Sequence, residues 1–282
     1  MLSCARLLPY FRLIMTSIIF TGLDEMLLPL EEIDYQPVLK VVGELQQRNI
    51  SLIPVTNNTR AEVEELNKKI GLNAPFVVEC GSGIFIPQAN NDFDITKTEI
   101  RDDYYLYQLG CTYTEARAAL KAVQEEISKI LRGFGDLDEE NIQAIMEVSP
   151  AAARRAKSRE FSEYFLTPNR LEIARLQAVA KEYGFKIISE GKLSLVAGGN
   201  ADGGKAVAWL KENYQLNSSD KITTVGIGST QQDLLLLESV DIPLVVPTAK
   251  GIDSNLANRN WQKVTDTSTR GWIQAIAFAI QN

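Results

Sequence analysis

The 282-residue sequence contains no histidine. That absence excludes Ser-His-Asp and Cys-His nucleophilic catalysis, and every His-ligated metal site, from this chain. Cysteine is scarce: Cys4, Cys80 and Cys111 are scattered and odd in number. They argue for free thiols in a reducing compartment and against a disulfide framework or a zinc site. Basic charge is short as well, with 29 Lys and Arg against 36 Asp and Glu, a net charge of −7. With no Lys/Arg run, that balance argues against nucleic acid or an anionic membrane as the main partner. No apolar run reaches the roughly 18 residues of a membrane span. These absences predict a cytoplasmic protein of one or two domains, long enough to bury a sizeable core. Residues 1–14 carry two arginines among apolar residues, faintly like a targeting segment, but Arg6, Pro9 and Arg12 break the run. They are read as a short N-terminal extension.

What is present is alternation. Compact apolar runs at 17–21, 50–55 and 75–78 read as buried strands. Between them, 37–48 and 60–70 place apolar residues at helical spacing (Val38, Val41, Val42, Leu45; Val63, Leu66, Ile70), and Gly71 marks a helix stop. Strand–helix–strand–helix–strand is the signature of a parallel sheet with right-handed crossovers. The alternation resumes near the C-terminus, with helices at 205–214, 232–239 and 272–280 and strands at 222–227 and 243–246. The stretch between has another texture, with tyrosines at 104, 105 and 107, charged helices at 114–131, 150–157 and 170–183, and strand candidates at 160–166 and 186–189. The expected architecture is α/β: a three-layer parallel-sheet core from 15–87 and 197–282, with an inserted α+β cap domain at 88–196.

Ligands of parallel α/β sheets sit at the carboxyl ends of the strands, and four segments there carry motif-like residues. The first is Ile18-Ile19-Phe20-Thr21-Gly22-Leu23-Asp24-Glu25-Met26-Leu27-Leu28. The second is Pro54-Val55-Thr56-Asn57-Asn58-Thr59-Arg60, the third Gly198-Gly199-Asn200-Ala201-Asp202-Gly203-Gly204-Lys205-Ala206, the fourth Gly226-Ile227-Gly228-Ser229-Thr230-Gln231-Gln232-Asp233-Leu234. Their order resembles the haloacid dehalogenase (HAD) superfamily of phosphatases, in the mannosyl-3-phosphoglycerate and sucrose-phosphate phosphatase-like group. Phe76-Val77-Val78-Glu79-Cys80-Gly81 is similar to that group's Val-Glu-Asn-Gly stretch, and Arg159-Glu160-Phe161-Ser162-Glu163 to its Arg-Glu-aromatic-x-Glu cap segment. The resemblance spans nearly the whole chain after Met15.

The resemblance also implies what is missing. Its first motif leads with an Asp that attacks phosphorus and ligates Mg²⁺; that position is Gly22, and a hydrogen atom cannot replace a carboxylate nucleophile. Asp24 matches the second Asp, the proton donor and water activator, while Glu25 and Met26 replace Gly-Thr. Thr56 fills the place of the phosphate-binding hydroxyl, but Asn58 stands where the group has Lys. The lysine that neutralises the phosphoryl group is Gly203, and Lys205, two residues on, points to another helix face. Ser229 replaces the first Mg²⁺-binding acid and Gln232 the Asn, leaving Asp233.

Two readings follow. The first is a non-catalytic HAD-fold protein, with no cofactor, that binds another protein or senses a sugar-phosphate-like ligand. The acidic balance then favours a partner with a basic or neutral patch, and the tyrosines at 104, 105 and 107 are either cap core or its anchors. The second is a Mg²⁺-dependent sugar-phosphate phosphatase, a phosphoric monoester hydrolase, of weak or unusual activity. In either, Asn58, Arg60, Arg159, Glu163 and Lys205 are the substrate-binding remnant, and Asp24 and Asp233 the weak metal remnant. The Gly22, Gly203 and Ser229 positions favour the first. Asp24 and Asp233 are then leftover polar groups at strand ends, Thr56 a turn group or a phosphate donor, and the glycine-rich 198–204 stretch a flexible connection or a phosphate cradle.

Overall fold

The computed structural model describes residues 17–281, apart from 29, 32, 169 and 215–221. The expected extension at 1–14 lies outside them. The chain opens on β1 (Ser17–Thr21), α1 (Gln36–Gln47), β2 (Ser51–Pro54) and α2 (Arg60–Ile70). Near the C-terminus come α7 (Gly203–Asn213), β10 (Thr223–Gly228), α8 (Leu234–Glu238), β11 (Ile242–Val245), α9 (Ser254–Ala257), β12 (Gln262–Lys263) and α10 (Ser268–Gln281). The five strands among these form one parallel sheet in the order β12-β11-β10-β1-β2. Both faces are covered, so β1 is apolar throughout: Ile19 packs with α1 and α10 on one side, while Ile18 and Phe20 pack toward α7 and α8 on the other. The helix α2 starts where Thr59 accepts a bond from the Glu62 amide in a capping box, and ends at Gly71 with φ +67°.

The third strand departs from expectation. β3 (Phe76–Val78) touches the parallel sheet through one bridge, Val55 to Val77, and otherwise pairs antiparallel with β4 (Gly83–Pro87). The reason is local: Glu79, Cys80 and Gly81 take φ of +50°, +62° and +81°, turning the chain back before any crossover helix can begin. With β5 (Glu99–Arg101) and β6 (Tyr104–Gln108) these strands make a four-stranded sheet, β3-β4-β6-β5, that crosses the boundary expected at residue 87. The tyrosines lie on β6 and are half-buried. Tyr104 meets Phe76 and Phe85 edge-on, with centroids 5.3 and 5.6 Å away, and Tyr107 stacks on Trp209 at 4.3 Å. They are packing groups at the flank of the core rather than open anchors.

The rest is α3 (Tyr113–Ile127), α4 (Glu139–Met146), α5 (Pro150–Lys157), β7 (Ser162–Leu166), α6 (Arg170–Glu182), β8 (Phe185–Glu190) and β9 (Leu193–Gly198). The three strands form an antiparallel sheet, β7-β9-β8, with α3 and α6 packed on one face and α4 and α5 on the other. The glycine-rich stretch after β9 is closely packed: a Cβ on Gly81 would lie 2.2 Å from the Asp202 carbonyl carbon. That contact argues against a slack connection.

Candidate functional site

The carboxyl ends of β1, β2 and β10 meet at one cleft of about 630 Å³, lined by Asp24, Thr56, Gly203 and Asp233. Lys186 and Ile187 of β8 line it as well. The loop after β1 is fixed by the Gly22 amide donating to the Ile227 carbonyl at 2.8 Å and by Leu23, Met26 and Leu27, all buried. Glu25 there has φ +64°, a left-handed conformation at the position where the resembling motif has glycine.

Asp233 takes the space that a side chain at 22 would need. A Cβ on Gly22 would fall 2.2 Å from Asp233 Oδ1 and 2.8 Å from its Cγ. The carboxylate is held there: its Oδ2 accepts from the Ser229 amide at 2.8 Å and the Thr230 amide at 3.1 Å. Burial pushes its pKa up to about 6, against the opposing pull of those amides. Ser229 donates its hydroxyl to the Asp24 carbonyl at 3.0 Å, a bond that satisfies an oxygen facing the site.

Around Asp24 the cations of the resembling motifs are replaced by neutral groups. The Asn58 carboxamide donates to Asp24 Oδ1 at 3.0 Å and to Thr56 Oγ1 at 2.8 Å. Thr56 Oγ1 also accepts from the Asn58 amide at 3.1 Å, a turn-forming role. Asp202 caps α7 through the Gly204 and Lys205 amides, so Lys205 projects exposed on a helix whose cleft-facing position is Gly203.

The other expected substrate-reading residues are engaged elsewhere, and neither they nor Asn58 and Lys205 are among the residues lining the cleft. Arg60 pairs with Glu160 and Asp102, each at 2.7 Å. Arg159 is buried, donating to Ser162 Oγ at 2.8 Å and the Asn57 carbonyl at 2.6 Å, 3.4 Å from Glu79 and with its guanidinium 4.3 Å from the Tyr164 ring centroid. Glu163 is buried against Arg117 at 2.7 Å and the Gly135 amide at 2.8 Å. Their partners make them positioning groups. Sequence reasoning missed Lys186, whose ammonium donates to the Ala201 carbonyl, and the pairing of Glu79 with Arg159. Each of the latter lies in a motif-like segment, but nothing in one segment points to the other.

The donor set offered to Mg²⁺ is a thin one. Among the described residues no three acidic or cysteine side chains converge on a point. Mg²⁺ keeps several waters and takes one or two carboxylates; here Asp233 Oδ2 and the Asp24 carbonyl are already engaged by the Ser229 amide and hydroxyl, so the carboxylates of Asp24 and Asp233 would have to hold it with their remaining lone pairs. Compensation for a phosphate's charge is thin: among the described residues Lys186 is the cation lining the cleft, against Asp24, Asp233 and Asp253. Unit charges about 5 Å apart at an effective dielectric near 20 interact by about 3 kcal/mol, and here Asp24 and Asp233 are on the repelling side.

Comparison with known proteins agrees with the fold. No protein-family model matches the chain. A haloacid dehalogenase-like hydrolase from B. subtilis superposes with a TM-score of 0.64 at 14% identity, covering 92% of this chain and 98% of that one. The fold is therefore that of the HAD superfamily. Mannosyl-3-phosphoglycerate phosphatase of Pyrococcus furiosus is 30% identical over 89% of this chain and 96% of its own. A glucosyl-3-phosphoglycerate/mannosyl-3-phosphoglycerate phosphatase of Persephonella marina is 29% identical over 92% and 95%. The chain belongs to the mannosyl-3-phosphoglycerate phosphatase family.

Proposed function

We propose that this chain is a non-catalytic member of its phosphatase family, a regulatory or sensing protein that uses the cleft to bind rather than to hydrolyse. The observation that carries the reading is the Asp233 carboxylate, which stands where a nucleophile's side chain at residue 22 would begin. Phosphoryl transfer depends on positioning and charge neutralisation. Removing one electrostatic donor typically costs ~10²–10³ in rate, and here the nucleophile, a metal-binding acid and the phosphate-facing lysine are all absent.

The test is phosphate release from mannosyl- and glucosyl-3-phosphoglycerate by the pure protein with Mg²⁺. The expected rate is at background. Turnover of roughly 1 s⁻¹ or more that vanishes in Asp24→Asn overturns the reading. Gly22→Asp with Gly203→Lys and Ser229→Asp is expected to gain Mg²⁺ affinity before activity, and only once Asp233 gives way.

The family relationship favours a second reading: a phosphoric monoester hydrolase for the substrates named for its relatives, with Mg²⁺ as cofactor. The relatives' names support that alternative better than they support a protein-binding role, and the same assay decides between the two. Among the described residues no helix is long and apolar enough to cross a membrane.

A further inference from the structure

We infer that the cleft selects an uncharged carbohydrate or polyol over a phosphorylated one, an inference that rests on the non-catalytic reading and names its ligand class. The charged side chains lining it are Asp24, Asp233, Asp253 and Lys186. The one ammonium is held by the Ala201 carbonyl. Arg60 is committed to Glu160 and Asp102, Lys205 is exposed outside the lining, and residue 203 offers no side chain. A phosphate dianion entering here meets three carboxylates against the one ammonium of Lys186 among the described residues, and gives up its hydration against a net repulsive lining.

A sugar hydroxyl meets the reverse situation. The carboxylates already bonded to Asn58, Ser229, Thr230 and Gln231 each keep a further lone pair, and a hydrogen bond to an ionised acceptor is roughly twice as strong as a neutral one. Thr56, Asn57, Gln232 and Ser189 add hydroxyl and amide groups, and Ile187 and Leu234 add apolar surface for the C–H face of a ring. The volume, about 630 Å³, suits a disaccharide-sized molecule.

Gly203 is the switch point. A Cβ there would meet only Val55 Cγ1, at 3.5 Å, an ordinary contact, so this cleft-lining position has room for a side chain to begin. The experiment is ligand-observed NMR titration of the full chain at neutral pH with sucrose, maltose and trehalose, against trehalose 6-phosphate and inorganic phosphate, with phosphate release followed in the same tubes. The expected result is saturable binding of a neutral disaccharide at least tenfold tighter than trehalose 6-phosphate. Gly203→Lys, with melting unchanged, is expected to narrow or invert that ratio. Equal or tighter binding of the phosphorylated sugar, saturation by none of the probes, or an unaltered ratio in folded Gly203→Lys overturns the inference. Phosphate release overturns instead the non-catalytic reading on which it rests, so the two failures are told apart.

Discussion

The side chains of Glu79 and Arg159 are wholly buried. Glu79 accepts from the Glu160 and Phe161 amides and the Ser162 hydroxyl while Arg159 lies beside it. A short way off, at the ends of β1 and β10 and the start of α7, the positions that carry charge in the resembling motifs hold Gly22, Ser229 and Gly203. The first region ties the turn after β3 to the segment entering β7. Its charges cannot go one at a time, because a buried ion left without its partner costs several kcal/mol. The second faces an open cleft, where removing an acid relieves repulsion and removing a lysine leaves no buried hole. Charge that is structural resists loss on its own account, whereas charge that serves only chemistry is kept by chemistry alone.

The largest effect should come from the first region. Arg159→Ala is expected to lower unfolding free energy by about 3–5 kcal/mol, measured by denaturant titration. A cost below about 1 kcal/mol would erase the contrast. Second is a pH effect at the cleft. Folded Asp233 keeps its proton up to about pH 6, whereas an unfolded aspartate loses its own near 4. The folded state therefore binds more protons between those values, and this group's contribution falls by about 2–3 kcal/mol as pH rises through that window, then stays level. Asp233→Asn should remove that fall, making the variant the more stable protein at pH 7 relative to pH 4.

Third, Gly22→Ala should cost about 1–3 kcal/mol through overpacking against Asp233, and much less in an Asp233→Ala background. Additive costs in that double-mutant cycle would show that the two positions do not compete for space. The smallest effect is at Gly203. Gly203→Ala should stabilise by about 0.4–1 kcal/mol, because the added methyl group meets only Val55. A loss of stability there would mean that the cleft needs its glycine for packing, as the first region needs its charges.

Much of the fold was legible because local patterns suffice for it. The strand at Ser17–Thr21, the helix at Arg60–Ile70 and the parallel β1, β2 and β10 follow from apolar periodicity and a glycine stop, and the helix at Pro150–Lys157 from its charged texture. The motif positions were equally legible as residue types: that Gly22 carries no carboxylate needs no coordinates. The antiparallel course of β3 was not, since it depends on left-handed backbone at Glu79 and Cys80, residue types that give no warning of it. Nor was the fate of the arginines, which share one chemistry whether they face a ligand or a buried carboxylate. By itself the sequence determined the elements and the lack of a carboxylate at residue 22, because each is a property of a short window of chain. Only the tertiary structure decided that Asp233 fills the space beside Gly22 and that Arg159 is spent on Glu79. Those facts are distances between atoms 211 and 80 residues apart in the chain, and close packing, not composition, sets them.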